Sequence, residues 1–177
     1  RHSLLKLTVH ENNQISYSGE IKPRDNEPFI VVGFENNKDG YSNIQKQAKW
    51  FSLAFTALTK KYQFNNFKAV GHSNGGLIYT AFLEDYFNRD DITVKKLMRI
   101  GSPYNFSETS ITHKSQMLTD FIKKRKNIPT NLSMYSIAGT ENYENHPILP
   151  ARTEEPTKNK KQQQNNKNTQ KTHTAHQ

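Results

Sequence analysis

The chain has 177 residues, a hydrophobic fraction of 33% and a formal net charge of +9, enough length for one domain with its own core. It holds no cysteine, which excludes disulfides and thiolate metal sites. No apolar run approaches the length of a membrane span, and no signal-peptide pattern opens the chain. The first residue is Arg1 rather than methionine, so the expectation is that the natural N-terminus, with any export signal, lies upstream.

In chain order, Leu5, Leu7 and Val9 alternate, "ENN" reads as a turn, and Ile15 and Tyr17 resume the period of two, which predicts a hairpin. The continuous apolar run Phe29 to Val32 predicts a strand covered on both faces, as in a parallel sheet. After "ENNKDGYSN", Ile44, Ala48, Phe51, Phe55 and Leu58 recur at helical spacing, giving a helix of about four turns with Ser42 or Asn43 as N-cap. Lys68 to Val70 reads as a short strand and Leu77 to Phe87 as a helix, apolar on most sides in its first half and therefore buried. "KKLMRI" is another strand, closed by "GSP". A long connection follows, with an amphipathic helix in which Met117, Leu118, Phe121 and Ile122 share a face before Pro129. "LSMYSIAG" is the last strand. Strands alternating with helices predict an α/β fold with an open, mostly parallel sheet and flanking helices.

Residues 1–150 form the expected domain, and 151–177 a polar tail in which "KNKKQQQNNKNTQKTHT" has too little apolar surface to offset ordering entropy, so disorder is expected there. Six basic residues of the tail (Arg152, Lys158, Lys160, Lys161, Lys167, Lys171) against Glu154 and Glu155 supply about +4 of the +9. The basic residues of the body are scattered and accompany no nucleic-acid motif, which argues against specific nucleic-acid binding. No His and carboxylate cluster has ligand spacing, so neither metal nor cofactor is implied.

Chemistry concentrates in "FKAVGHSNGGLIYTAF", residues 67 to 82. Gly71-His72-Ser73-Asn74-Gly75 is a Gly-x-Ser-x-Gly sequence, and between a strand and a helix it predicts a nucleophile elbow with Ser73 on a tight turn. Gly71 and Gly75 are expected to remove side chains that would collide there, and Gly76 to let the helix approach the sheet. The strain expected at Ser73, ~1–3 kcal/mol, places Oγ at a helix N-terminus. There the Asn74 N–H is an oxyanion donor, and the helix dipole favours negative charge. The alternatives are a glycine-rich phosphate-binding turn or a capping serine. The spacing fits neither G-x-G-x-x-G nor a P-loop. His72, adjacent to the serine, is read as structural because that position points away from the hydroxyl.

"PFIVVGFENNKDGYSNIQKQAKW", "FNNFKAVGHSNGGLIYT", "IGSPYNFSET" and "MYSIAGTENY" together resemble a poorly characterised α/β-hydrolase family of Gram-positive bacteria, commonly labelled cell-surface hydrolases. The likeness runs from about Leu4 to Tyr143. It implies a partial α/β-hydrolase fold, a serine hydrolase whose substrate is unassigned, and an exported or cell-surface location; the partner expected for such a serine is an unidentified small-molecule or lipid-like ester. By motif it carries the nucleophile role to Ser73 and one oxyanion donor to Asn74.

A serine needs a base and an orienting acid, in the order Ser, Asp or Glu, His. Where the resemblance implies Asp-Gly-x-Val-Pro, this chain has "HPILP", and no aspartate follows Asp120. Glu141 and Glu144 are the nearest carboxylates, with solvated loop residues as the alternative. His146 is a candidate base, while His173 and His176 fall in the tail and His113 in the connection before the acid region. The His-Gly oxyanion loop that the resemblance implies is not in the sequence. Two readings follow: a serine hydrolase using Ser73, or a truncated, inactive remnant that binds anionic polymers through its basic tail.

Overall fold

The computed structural model describes residues 2–105 and 112–137. The expected boundary at residue 150 and the tail lie outside the described residues. Among the described residues six strands and three helices run in the order β1 (Leu4–Val9), β2 (Ile15–Gly19), β3 (Phe29–Phe34), α1 (Tyr41–Tyr62), β4 (Asn66–His72), α2 (Asn74–Asp85), β5 (Thr93–Ile100), α3 (Gln116–Lys124), a 3-10 turn (Arg125–Asn127) and β6 (Ser133–Ile137). Every element read from the sequence is present.

The strands form two three-stranded sheets rather than one. In the first, ordered β2-β1-β3, β1 pairs antiparallel with β2 and parallel with β3. In the second, ordered β4-β5-β6, all strands are parallel. The hairpin is pinned at its turn, where Asn13, at φ 70°, accepts a hydrogen bond from the Trp50 indole at 3.1 Å.

Helix α1 serves both sheets through two stripes. Trp50, Ala54 and Leu58, spaced four apart, close over Leu5, Leu7 and Val9 of β1. Ile44, Ala48, Phe51 and Phe55 face the other core with α2, β4 and β5. The sequence reading put Leu58 on the single stripe it recognised. A helix wedged between two cores needs two stripes, about one residue's rotation apart, and Leu58 belongs to the second.

Three expectations are corrected. α1 has 22 residues, nearer six turns than four, and its N-cap is Gly40 at φ 103°, not Ser42 or Asn43. A positive φ is open to glycine without steric cost, and Asn43 instead turns its side-chain amide back onto the Asp39 carbonyl at 2.9 Å. Among the described residues β3 is covered on one face only: Ile30 and Val32 pack toward α1, while Phe29 and Val31 are 60% and 47% exposed. Continuous apolar character does not distinguish a strand covered on both faces from one covered on one.

α2 buries Leu77, Ile78, Ala81, Phe82 and Leu83 as expected, and Phe82 meets Phe51 and Phe55 at ring separations of 4.8 and 5.0 Å. α3 buries Met117, Leu118 and Phe121, with Ser115 as its N-cap accepting from the Leu118 N–H at 3.2 Å. Asn105, fully buried, donates to the His113 carbonyl and accepts from the Ser115 N–H, so it joins the two ends of the segment between them.

Candidate functional site

The C-terminal ends of β4, β5 and β6 lie along one edge because the three strands are parallel and in register. β4 ends at His72 and α2 begins at Asn74, leaving Ser73 alone to make the turn. Its backbone is at φ 53°, ψ −120°, a region that residues with a side chain seldom occupy. The turn is fastened on both sides: the Ser73 N–H donates to the Ile100 carbonyl of β5 at 2.8 Å, and the Gly76 N–H donates to the Ser73 carbonyl at 3.2 Å. Ser73 is half-buried and caps α2 without a side-chain hydrogen bond to it, which leaves its hydroxyl out of the capping role offered as an alternative.

The glycines differ from one another. A Cβ on Gly71 would lie 2.5 Å from both the Gly75 carbonyl carbon and the Gly76 nitrogen, so strand and helix backbones touch there. A Cβ on Gly76 would meet Ser102 Oγ at 1.9 Å and Arg99 Cβ at 3.3 Å. A Cβ on Gly75 would meet nothing within 4 Å among the described residues. The collision expected between residues on either side of the serine therefore involves the side chain of residue 71 and the backbone of residue 75, and Gly75 is not sterically required.

Asn74 is half-buried, and its side-chain amide donates to Asp39 Oδ1 at 2.6 Å, which ties the loop before α1 to the elbow. As the first residue of α2 its N–H has no intrahelical acceptor. His72 is exposed. Among the described residues no histidine is hydrogen-bonded to Ser73 Oγ. His10 is engaged with Ser16 and Glu35, His2 lies beside Asp25, and His113 is exposed. Glu141, Glu144, His146, His173 and His176 lie outside the described residues.

Beneath the elbow is a polar cluster that the sequence reading missed. Arg99 on β5 is 3% exposed and donates to Tyr104 Oη at 3.0 Å and to Ser136 Oγ of β6 at 2.7 Å. The only signal was a charge at the inward register of "KKLMRI", two residues after the buried Leu97. Away from that cluster, near the C-terminal end of α2, Glu84 is 5% exposed and has no hydrogen-bond partner for either carboxylate oxygen among the described residues, and burial raises its pKa from 4.5 to about 8, opposed by Lys124 and helped by Asp85. A cleft of about 260 Å³ lined by Arg89, Asp90, Thr93 and Asn131 lies at the N-terminal end of β5, the opposite end of the sheet from Ser73. Among the described residues no group of three or more His, Asp or Glu side chains is placed to hold a metal ion, and no helix is long and apolar enough to cross a membrane.

Residues 1–176 match the family described as alpha/beta hydrolases of unknown function (DUF915). The fold is similar to the crystal structure of a candidate cell surface hydrolase from Lactobacillus plantarum WCFS1, at 54% identity and a TM-score of 0.79 over 81% of this chain and 58% of that one. It is also similar to the crystal structure of the lin2722 gene product from Listeria innocua, at 30% identity and a TM-score of 0.64 over 75% of this chain and 56% of that one. The chain thus spans less than two thirds of either solved relative. No protein of curated function matches it.

Proposed function

The chain belongs to this alpha/beta hydrolase family and has its fold, and on that premise we propose that Ser73 is the nucleophile of a serine hydrolase acting on an ester or related acyl bond. The observation that carries the reading is the backbone of Ser73: one serine at positive φ joining a parallel strand to a helix, with its hydroxyl free of the cap. A fold keeps a residue in so sparsely populated a region when the strain has a use. Here the use is to hold Oγ at the head of α2, where the Asn74 N–H and the helix dipole stabilise an oxyanion.

In this scheme Oγ attacks the acyl carbon as a base takes its proton. The tetrahedral oxyanion collapses to an acyl-enzyme with loss of the alcohol, and water releases the acid by the reverse sequence. His146 is the candidate base and Glu141 or Glu144 the candidate acid, all three proposed from the sequence alone. The substrate is a small-molecule or lipid-like ester, and the cell surface is the proposed location, in keeping with the description of the Lactobacillus relative.

The test is labelling by a fluorophosphonate probe with the modified residue located by mass spectrometry. Label on Ser73 that disappears in Ser73→Ala supports the proposal. A folded chain that takes no label, or takes it elsewhere, overturns it.

A further inference from the structure

Arg99 carries a permanent charge, is 3% exposed, and has no carboxylate within ion-pair distance among the described residues. Its Nε has no hydrogen-bond partner among the described residues. Burying a guanidinium on such terms is costly, and an apolar side chain of similar volume would fill the space more cheaply. Packing alone therefore does not account for an arginine here.

The hydrogen bonds have a fixed direction. A guanidinium only donates, so Tyr104 Oη accepts from Arg99 at 3.0 Å, and the guanidinium also sits over the Tyr104 ring, 5.1 Å from its centroid. The phenol proton is then directed to Thr80 Oγ1 at 2.7 Å or to the Gly76 carbonyl at 3.3 Å. Thr80 Oγ1 donates to that same carbonyl at 2.8 Å. Every path that starts at Arg99 and passes through Tyr104 ends on the Gly76 carbonyl, in the first turn of α2. On its other side Arg99 is anchored to β6 through Ser136 Oγ. The next residue of β5, Ile100, accepts the Ser73 N–H. The strained turn is thus gripped at Ser73 by the strand and at Gly76 by the relay.

We propose that Arg99 is a positioning residue for the elbow: acting through Tyr104 and Thr80 on the Gly76 carbonyl, it holds the first turn of α2 against β5 and so maintains Ser73 at positive φ. Its catalytic consequence rests on the reading of Ser73 as nucleophile. The grip itself does not.

The experiment uses the full chain and the variants Tyr104→Phe, Arg99→Met and Arg99→Lys, with two readouts. The first is amide hydrogen exchange. In Tyr104→Phe, which keeps the ring and removes the relay, exchange across residues 74–80 rises about tenfold while α1 is unchanged. Arg99→Met gives the same pattern, and Arg99→Lys, which retains a charged donor, recovers part of the protection. The second readout is fluorophosphonate labelling: its maximal rate falls about tenfold in Tyr104→Phe with half-saturating probe concentration unchanged, and Arg99→Lys labels faster than Arg99→Met. Unchanged exchange at 74–80, or a rise spread evenly over the whole chain, overturns the proposal. If Arg99→Met does not fold, Tyr104→Phe decides. Local loosening in a chain that never takes label leaves the grip standing and refutes the nucleophile. Labelling at Ser73 that is indifferent to all three variants leaves the nucleophile standing and refutes the catalytic consequence of the grip, which exchange at 74–80 alone then judges.

Discussion

The hairpin sheet, β2-β1-β3, and the elbow sheet, β4-β5-β6, lean on the same helix but treat polar groups in opposite ways. In the first, β1 alternates cleanly: Leu5, Leu7 and Val9 go in, Leu4 and Lys6 go out, and the buried side is wholly apolar. Its remaining contacts are at the rim, such as Lys61 over the Tyr17 ring at 5.0 Å. In the second, buried apolar residues are interleaved with Arg99, Thr80, Tyr104 and Glu84, and backbones approach to within the thickness of a missing Cβ at Gly71. The first sheet is held by area removed from water, which tolerates substitution in proportion to size. The second adds directional bonds and close approach, which do not degrade in proportion. The difference teaches where to expect a site: in the sheet that carries costs its packing does not require.

The contrast can be broken by mutation, beginning with the largest effect. Leu7→Ala is expected to cost about 2–5 kcal/mol in denaturant unfolding, yet to leave the labelling of Ser73 unchanged in the protein that remains folded. Altered labelling would show that the sheets are not separable. Gly71→Ala is expected to cost about 2–3 kcal/mol, because its Cβ meets backbone rather than a mobile side chain. It should abolish labelling even under conditions where circular dichroism shows a folded chain.

Glu84 sharpens the comparison through pH. Its folded-state pKa of about 8 lies above the ordinary 4.5, so the folded protein binds the proton more tightly than the unfolded chain. The stabilisation is complete below about pH 4.5 and is lost progressively as pH rises toward 8. Glu84→Gln, neutral throughout, should flatten that slope between pH 5 and 8 in thermal melts and be the more stable protein at pH 8. A wild-type profile already flat over this range would refute the assignment. The smallest effect is the most discriminating. Gly75→Ala meets no atom of the described residues within 4 Å, so it should be neutral or stabilise the helix by up to about 1 kcal/mol, against the loss at Gly71 four residues earlier.

Much of the fold could be read because its signals are periodic. The hairpin, the stripe on α1, the buried start of α2 and the apolar face of α3 all follow from spacing, and the structure has each of them. The elbow was legible for a different reason: glycines two before and two after a serine, between a strand and a helix, restrict the chain locally enough to be recognised. Three things were not legible. Phe29 and Val31 are exposed because no described element covers that face of β3, and apolarity does not report its own cover. Gly40 displaced Ser42 and Asn43 as the cap because α1 already begins at Tyr41, which puts both of them inside its first turn. Arg99 joined Tyr104 and Gly76 because the end of β5, the segment after it and the first turn of α2 converge, and no spacing in the chain encodes that convergence.

The amino-acid sequence by itself determined the elements, their order and the turn that carries Ser73, since each depends on residues within a few positions of one another. Only the tertiary structure decided that the strands divide into two sheets, that Gly71 and Gly76 are sterically required while Gly75 is not, and that a buried arginine sits under the first turn of α2. Those outcomes depend on distances between groups far apart in the chain, which close approach and hydrogen bonding fix and local pattern does not.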